Sequence, residues 1–158
     1  FRVPARLHQP PFTLLIFGGS QGAVALNAAL IEALDILRAA RFPLHFIHQS
    51  GERDYETVSA RYVQRGIRAA VLPFIDNMAE RFAQADLLIC RAGASTVAEI
   101  AAAGKAAILV PFPYATDQHQ LRNAQTLARA GAARLIQQEE LTGARLAAEI
   151  LNLLEHPE

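Results

Sequence analysis

Asp86-Leu-Leu-Ile-Cys90-Arg-Ala-Gly93-Ala-Ser95-Thr-Val-Ala-Glu99-Ile-Ala-Ala-Ala-Gly104 is the stretch on which the fold turns. It opens with a short apolar run of the length expected of a buried strand. Ala92-Gly93-Ala94 then makes a small-residue turn, and a helix is predicted to begin at Ser95 or Thr96 and to end at Gly104. A strand feeding a glycine turn and a helix start presents free backbone N–H groups to a ligand, and the helix dipole favours an anion there.

Outward from this unit, strand and helix alternate six times without an internal sequence repeat. Strands are predicted at Phe12–Phe17, Leu44–His48, Arg68–Leu72, Asp86–Cys90, Ala106–Val110 and Ala133–Ile136. The first helix runs to about Ala40, with Leu26, Leu30, Leu34 and Leu37 spaced for one buried stripe. A polar helix follows from about Arg53 to Gln64, ended by Gly66, and a short one capped by Asp76 or Asn77 runs to about Gln84. The last two are predicted from about Asp117 to Ala130, ended by Gly131, and from a Thr142 cap to about Leu154. Most of the strands are continuous apolar runs, the pattern of a parallel sheet covered by helices on both faces. Right-handed crossovers then favour an α/β fold, a Rossmann-like doubly wound parallel sheet of about six strands, which binds ligands at the carboxyl ends of its strands.

The 158 residues suit one domain, with 1–11, carrying Pro4, Pro10 and Pro11, as a linker and 12–158 as the folded unit. Hydrophobic residues make up 52% and charged residues 19%, which excludes a disordered chain. Fifteen basic and 15 acidic residues cancel, against nonspecific nucleic-acid binding or an electrostatic membrane anchor. The single cysteine, Cys90, allows no internal disulfide and fits a reducing compartment. No apolar run approaches the roughly 20 residues of a membrane-spanning helix. A start at Phe1 rather than Met, and a stop at Glu158, read as a piece of a longer chain.

Several loops at strand ends could carry chemistry. Gly18-Gly19-Ser20-Gln21-Gly22 either brings amides to a phosphate or is a tight turn capped by Ser20. It is neither the G-x-G-x-x-G fingerprint nor a Walker loop, so dinucleotide and ATP readings lose weight. Thr96-Val-Ala-Glu99 matches a capping box, and Glu99 could instead accept two ribose hydroxyls. Asp117-Gln-His119-Gln120 has the same ambiguity; His119 alone suits a surface position and Cys90 a small core residue. There is no Asp-x-Asp pair, no zinc-spaced cluster and no G-x-S-x-G elbow, so neither metal nor cofactor is expected.

Five blocks in order carry a resemblance: Gly18–Ala23, His48-Gln-Ser-Gly51, Phe74-Ile75-Asp-Asn-Met78, Cys90–Glu99, and Val110-Pro-Phe-Pro-Tyr114 with Asp117–Gln120 and Asn123. Over about residues 14–137 the chain resembles the carboxy-terminal half of the MurG family of peptidoglycan N-acetylglucosaminyltransferases. The resemblance implies one half of a two-domain GT-B glycosyltransferase, the half that binds the donor UDP-N-acetylglucosamine. It implies inverting transfer of N-acetylglucosamine to lipid I, giving lipid II, peripherally at the cytoplasmic side of the bacterial inner membrane. Ile75 would then meet the uracil through its backbone, beside Phe74 and Met78, and Glu99 would bind the ribose hydroxyls. Gly19, Ser20 and Gly22, with the amides around Ala94, Ser95 and Thr96, would face the diphosphate, His119 and Gln120 would meet the sugar hydroxyls, and Arg91 and Gly93 would be further residues of the donor site. The amino-terminal domain, which takes the lipid acceptor and supplies the general base, lies outside these residues, as does a family arginine just upstream of Phe1. No catalytic residue is therefore expected here, only donor binding, with cell-wall synthesis proteins as candidate partners. Two other readings stay open: the soluble subunit of a split transferase, and a non-catalytic nucleotide-sugar-binding module.

Overall fold

A computed structural model describes residues 11–18, 24–113 and 119–155. Six strands, β1 (Phe12–Phe17), β2 (Leu44–Gln49), β3 (Ala69–Leu72), β4 (Leu87–Cys90), β5 (Ala106–Leu109) and β6 (Ala133–Leu135), form one sheet in the order β3-β2-β1-β4-β5-β6. All five pairings are parallel. The order reverses between β1 and β4, where Leu14 pairs with Leu87 and Phe17 with Cys90, and this is the crevice where such sheets take ligands. The expected Rossmann-like doubly wound sheet is therefore the fold observed.

Successive side chains of a strand point to opposite faces, and here both faces are dry. Leu14 and Ile16 of β1, Leu87 and Ile89 of β4, and Ile108 of β5 pack into one core. Leu15 and Phe17, Leu88 and Cys90, and Ala107 and Leu109 pack into the other. The first core is covered by α1 (Val24–Ala39), α2 (Tyr55–Gln64) and α6 (Gly143–Glu155), the second by α3 (Met78–Gln84), α4 (Ala94–Ala103) and α5 (His119–Arg129). The stripe Leu26, Leu30, Leu34 and Leu37 is fully buried, as its spacing predicts. Thr142 caps α6, its hydroxyl accepting from Arg145 N at 3.0 Å.

Local detail departs from expectation at three places. Asn77 stands at the N-cap of α3, yet its side chain donates to Glu80 at 2.8 Å instead of accepting from the backbone. A short 3-10 turn, Gln138–Glu140, precedes Thr142. Most consequentially, α4 begins at Ala94 with Gly93 as its N-cap, and ends at Gly104 in the left-handed conformation that suits glycine (φ 63°).

Candidate functional site

The early start of α4 removes the predicted capping box. With Gly93 as the cap, Thr96 is the third helical residue and Glu99 lies one turn further on, so Glu99 cannot reach back to the first N–H groups. Ala94 is a strong helix former and Gly93 is extended (φ −61°, ψ 153°), so the helix nucleates on the small residues ahead of the hydroxyls. The first intrahelical bond is Val97 N to Gly93 O, 2.9 Å, and no side chain caps this end. The amides of Ala94, Ser95 and Thr96 precede it without an intrahelical acceptor, as at any helix N-terminus.

Thr96 and Glu99, three residues apart and so on one helix face, line a cleft of about 520 Å³ at the carboxyl ends of β1, β2 and β3. Its other walls are Phe17, Gln49, Gly51, Glu52, Pro73, Phe74, Ile75 and Met78. Phe74 is 66% exposed, an unusual state for so large an apolar ring, whereas Ile75 is buried in the second core. The cleft therefore combines an apolar shelf with two carboxylates, a carboxamide and a hydroxyl.

Two polar arrangements hold the cleft's edges. Gln49 accepts a hydrogen bond from Ile75 N at 3.0 Å, tying the end of β2 to the segment after β3. On the opposite face of the sheet, Asn27 of α1 donates to Ser50 O at 3.0 Å and to Asp54 at 3.1 Å, while its Oδ1 lies 2.7 Å from His48 Nε2. His48 Nδ1 is 2.8 Å from the Tyr62 hydroxyl. Burial pushes His48 down to about 3 and raises Tyr62, so both are neutral. This chain of bonds fixes Ser50, and with it the Gly51 turn, which has φ 82°.

Of the other predicted residues, Arg91 is buried rather than open to the cleft. Its Nη1 donates to Val110 O at 3.3 Å, its guanidinium stacks 5.3 Å from the Phe112 ring centre, and desolvation lowers its pKa. Gln120 Oε1 accepts from Phe112 N at 2.8 Å and from Ala92 N at 3.3 Å, and Asn123 donates to Ala92 O at 3.0 Å. These bonds brace the turn before α4. His119 is the exposed first residue of α5. Cys90 is fully buried, and burial raises its thiol pKa. Gly19, Ser20 and Gly22, like Asp117, lie outside the described residues. Among the described residues no helix is long and apolar enough to cross a membrane, and no group of three or more His, Cys, Asp or Glu is placed to hold a metal.

Phe17, Gln49, Gly51, Glu52 and Pro73 belong to the cleft without having been singled out as contacts. The signal was present: each lies at or just beyond a strand's carboxyl end, where the fold rule puts ligands.

With this geometry in hand, three kinds of comparison agree. Residues 13–158 match the model of the glycosyltransferase family 28 C-terminal domain. The UDP-N-acetylglucosamine--N-acetylmuramyl-(pentapeptide) pyrophosphoryl-undecaprenol N-acetylglucosamine transferase of Syntrophus aciditrophicus is 54% identical over 146 residues, 92% of this chain and 40% of the relative. The transferase of the same description from Pelobacter propionicus is 50% identical over 153 residues, 97% of this chain and 40% of the relative. The crystal structure of Acinetobacter baumannii MurG superposes with a TM-score of 0.83 at 44% identity, covering 92% of this chain and 42% of that one. The chain thus spans about 40% of the length of the curated relatives it matches. The chain belongs to the glycosyltransferase family 28 C-terminal domain family.

Proposed function

We propose that this domain binds UDP-N-acetylglucosamine as the donor half of an inverting transferase that converts lipid I to lipid II. The observation carrying the proposal is that Glu99, freed from helix capping, shares one cleft with Thr96, Phe74, Ile75 and Met78. An apolar shelf suits a planar base, and a carboxylate suits a pair of ribose hydroxyls. The uncapped start of α4 suits a diphosphate and the negative charge that grows on UDP as it leaves. Ser20 with Gly19 and Gly22 would face the same diphosphate. Arg91 acts behind the site, holding Val110 and Phe112, rather than on the phosphate.

His119 and Gln120 would meet the sugar. The oxygen of Gln120 already accepts from two backbone amides, so its Nε2 is the atom that donates to a sugar hydroxyl. Acceptor binding, deprotonation of the acceptor hydroxyl and peripheral attachment to the cytoplasmic face of the inner membrane belong, in this proposal, to the rest of such a transferase. Any contacts with other cell-wall synthesis proteins go with that assembly. These 158 residues alone bind donor and do not transfer it.

A thermal-shift panel tests the proposal. Saturating UDP or UDP-N-acetylglucosamine raises the melting temperature, by about 2.7 kcal/mol of added stability at roughly 100 times Kd. No shift with either, alongside a clear shift with NAD or ATP, overturns it.

A further inference from the structure

The end of the sheet opposite the cleft, where β2 and β3 begin, holds another recess, of about 280 Å³. Leu34 and Leu37 of α1 are its buried walls, and Phe42, Leu44 and Ile67 its half-buried ones. The Phe42 ring lies against Phe12 of β1, centroids 6.3 Å apart, which holds that wall in place. Arg38 and Arg68 add charge to the lining.

Residues 34–44 and 61–68, the segments around this recess, carry five arginines, at 38, 41, 61, 65 and 68, and one acidic residue, Asp35. The whole chain has 15 residues of each sign, so this corner is a local excess of positive charge. Part of the excess serves the fold. Arg38 donates at 2.8 Å to the carbonyl of Arg65, the C-cap of α2, and Asp35 pairs with Arg65 at 3.1 Å and Arg38 at 3.5 Å. The exposed side chains of Arg41 and Arg68 form no hydrogen bond or ion pair among the described residues.

Arg41 also has φ 61°, in the left-handed region, just beyond the end of α1. The other left-handed residues among those described are all glycines, at 51, 66, 104 and 131. A glycine would end α1 without strain, whereas an arginine there strains the backbone and sets a cation next to Phe42 in the chain. Strain retained beside an apolar hollow points to a use for the side chain.

We propose that this recess docks an acidic peptide segment of a partner protein, with one apolar side chain in the hollow and carboxylates on Arg41 and Arg68. The volume selects the anchor, because it lies below the usual range of small-ligand pockets and suits one aromatic or branched side chain. It is too small for the acyl chains of a lipid, and a bilayer receives side chains that protrude rather than a hollow. The two unpaired guanidiniums select the charge, since each matches a carboxylate bidentately. The six residues of β2 set the recess roughly 20 Å from the cleft, so a docked segment leaves the cleft open. This assignment does not depend on the donor proposal.

Fluorescence polarisation with the full chain tests it, using three series of labelled hexapeptides. Each series centres on phenylalanine, leucine or tyrosine, flanked by aspartates, by serines or by lysines. The aspartate series is expected to bind saturably and at least about tenfold more tightly than the other two. Alanine at the centre should weaken it by about tenfold. Arg68→Glu should weaken it by about tenfold or more. Arg41→Gly suits the left-handed backbone and so retains the fold, and should weaken binding by about threefold or more. Lack of saturable binding by the aspartate series, or equal binding by all three, overturns the proposal. So does unchanged affinity in either arginine variant. Phosphatidylglycerol vesicles that bind the wild-type chain but not Arg68→Glu, where the peptides do not bind, overturn it in favour of a membrane surface.

Discussion

His48 Nε2 lies 2.7 Å from Asn27 Oδ1, and this contact fixes the histidine's tautomer. Asn27 Nδ2 donates to Ser50 O and to the Asp54 carboxylate, both pure acceptors, so its oxygen must face the ring. Nε2 therefore carries the proton, and Nδ1 accepts from the Tyr62 hydroxyl. A second proton, on Nδ1, would force the Tyr62 hydroxyl to turn from donor to acceptor and would bury a charge away from solvent, in line with a pKa pushed down to about 3.

A pH dependence follows from that depressed value. The unfolded histidine binds a proton near pH 6.5 and the folded one does not until about pH 3, so the unfolded state holds more protons between them. The contribution is fully present above the unfolded pKa and is lost as pH falls through this window. Denaturant unfolding should show a loss of about 2 kcal/mol between about pH 7 and pH 5. His48→Gln should lack that share of the slope. Equal slopes in the two proteins would count against a buried neutral His48.

Glu99→Ala should leave the melting temperature of the free protein unchanged, because Glu99 is exposed and makes no cap. UDP affinity should fall by about 1.5–3 kcal/mol, the cost of losing charge-assisted hydrogen bonds to a bound ligand. The two calorimetric readouts decide between a ligand contact and a helix cap: unchanged affinity with a lowered melting temperature would restore the cap.

Gly143 sits at the start of α6 against α1. A Cβ there would collide with the Cβ of Glu32 and lie 2.8 Å from its carbonyl carbon, while Gly143 N donates to the Glu32 carboxylate at 3.1 Å. Gly143→Ala should therefore destabilise the fold by about 1–3 kcal/mol through overpacking, read as a lowered denaturation midpoint. An unchanged midpoint would show that α6 can slide without loss.

Cys90 should resist alkylation in the native state, since its thiol is buried and its pKa raised, leaving little thiolate. Labelling should track unfolding in guanidinium. Rapid labelling of the native protein would place Cys90 on an accessible surface instead.

Architecture was legible because it rests on local signals that tertiary structure reinforces. Continuous apolar runs such as Leu87–Cys90 make sense only if both faces of the sheet are covered, and the leucine stripe of α1 named its buried side in advance. Element ends were less legible. Ser/Thr followed three residues later by Glu is a sound capping signal, but at Thr96 and Glu99 a glycine three positions before Thr96 and an alanine two before it captured the helix start. That shift changed what Glu99 is able to do.

Sequence alone thus determined the order of strands and helices, the buried strand runs with the leucine stripe of α1, and the strand ends at which the cleft opens. These follow from periodicity and from the handedness of crossovers, which act over short spans. Which polar groups meet around those ends was decided only by the folded chain. Gln49 and Ile75 are 26 residues apart, Ala92 and Gln120 are 28 apart, and Asn27 reaches His48 across 21. Hydrogen bonds at such separations leave no period in a sequence. They form because burial denies these donors and acceptors water, fully at His48 and partly at Gln120, and packing brings their partners within reach.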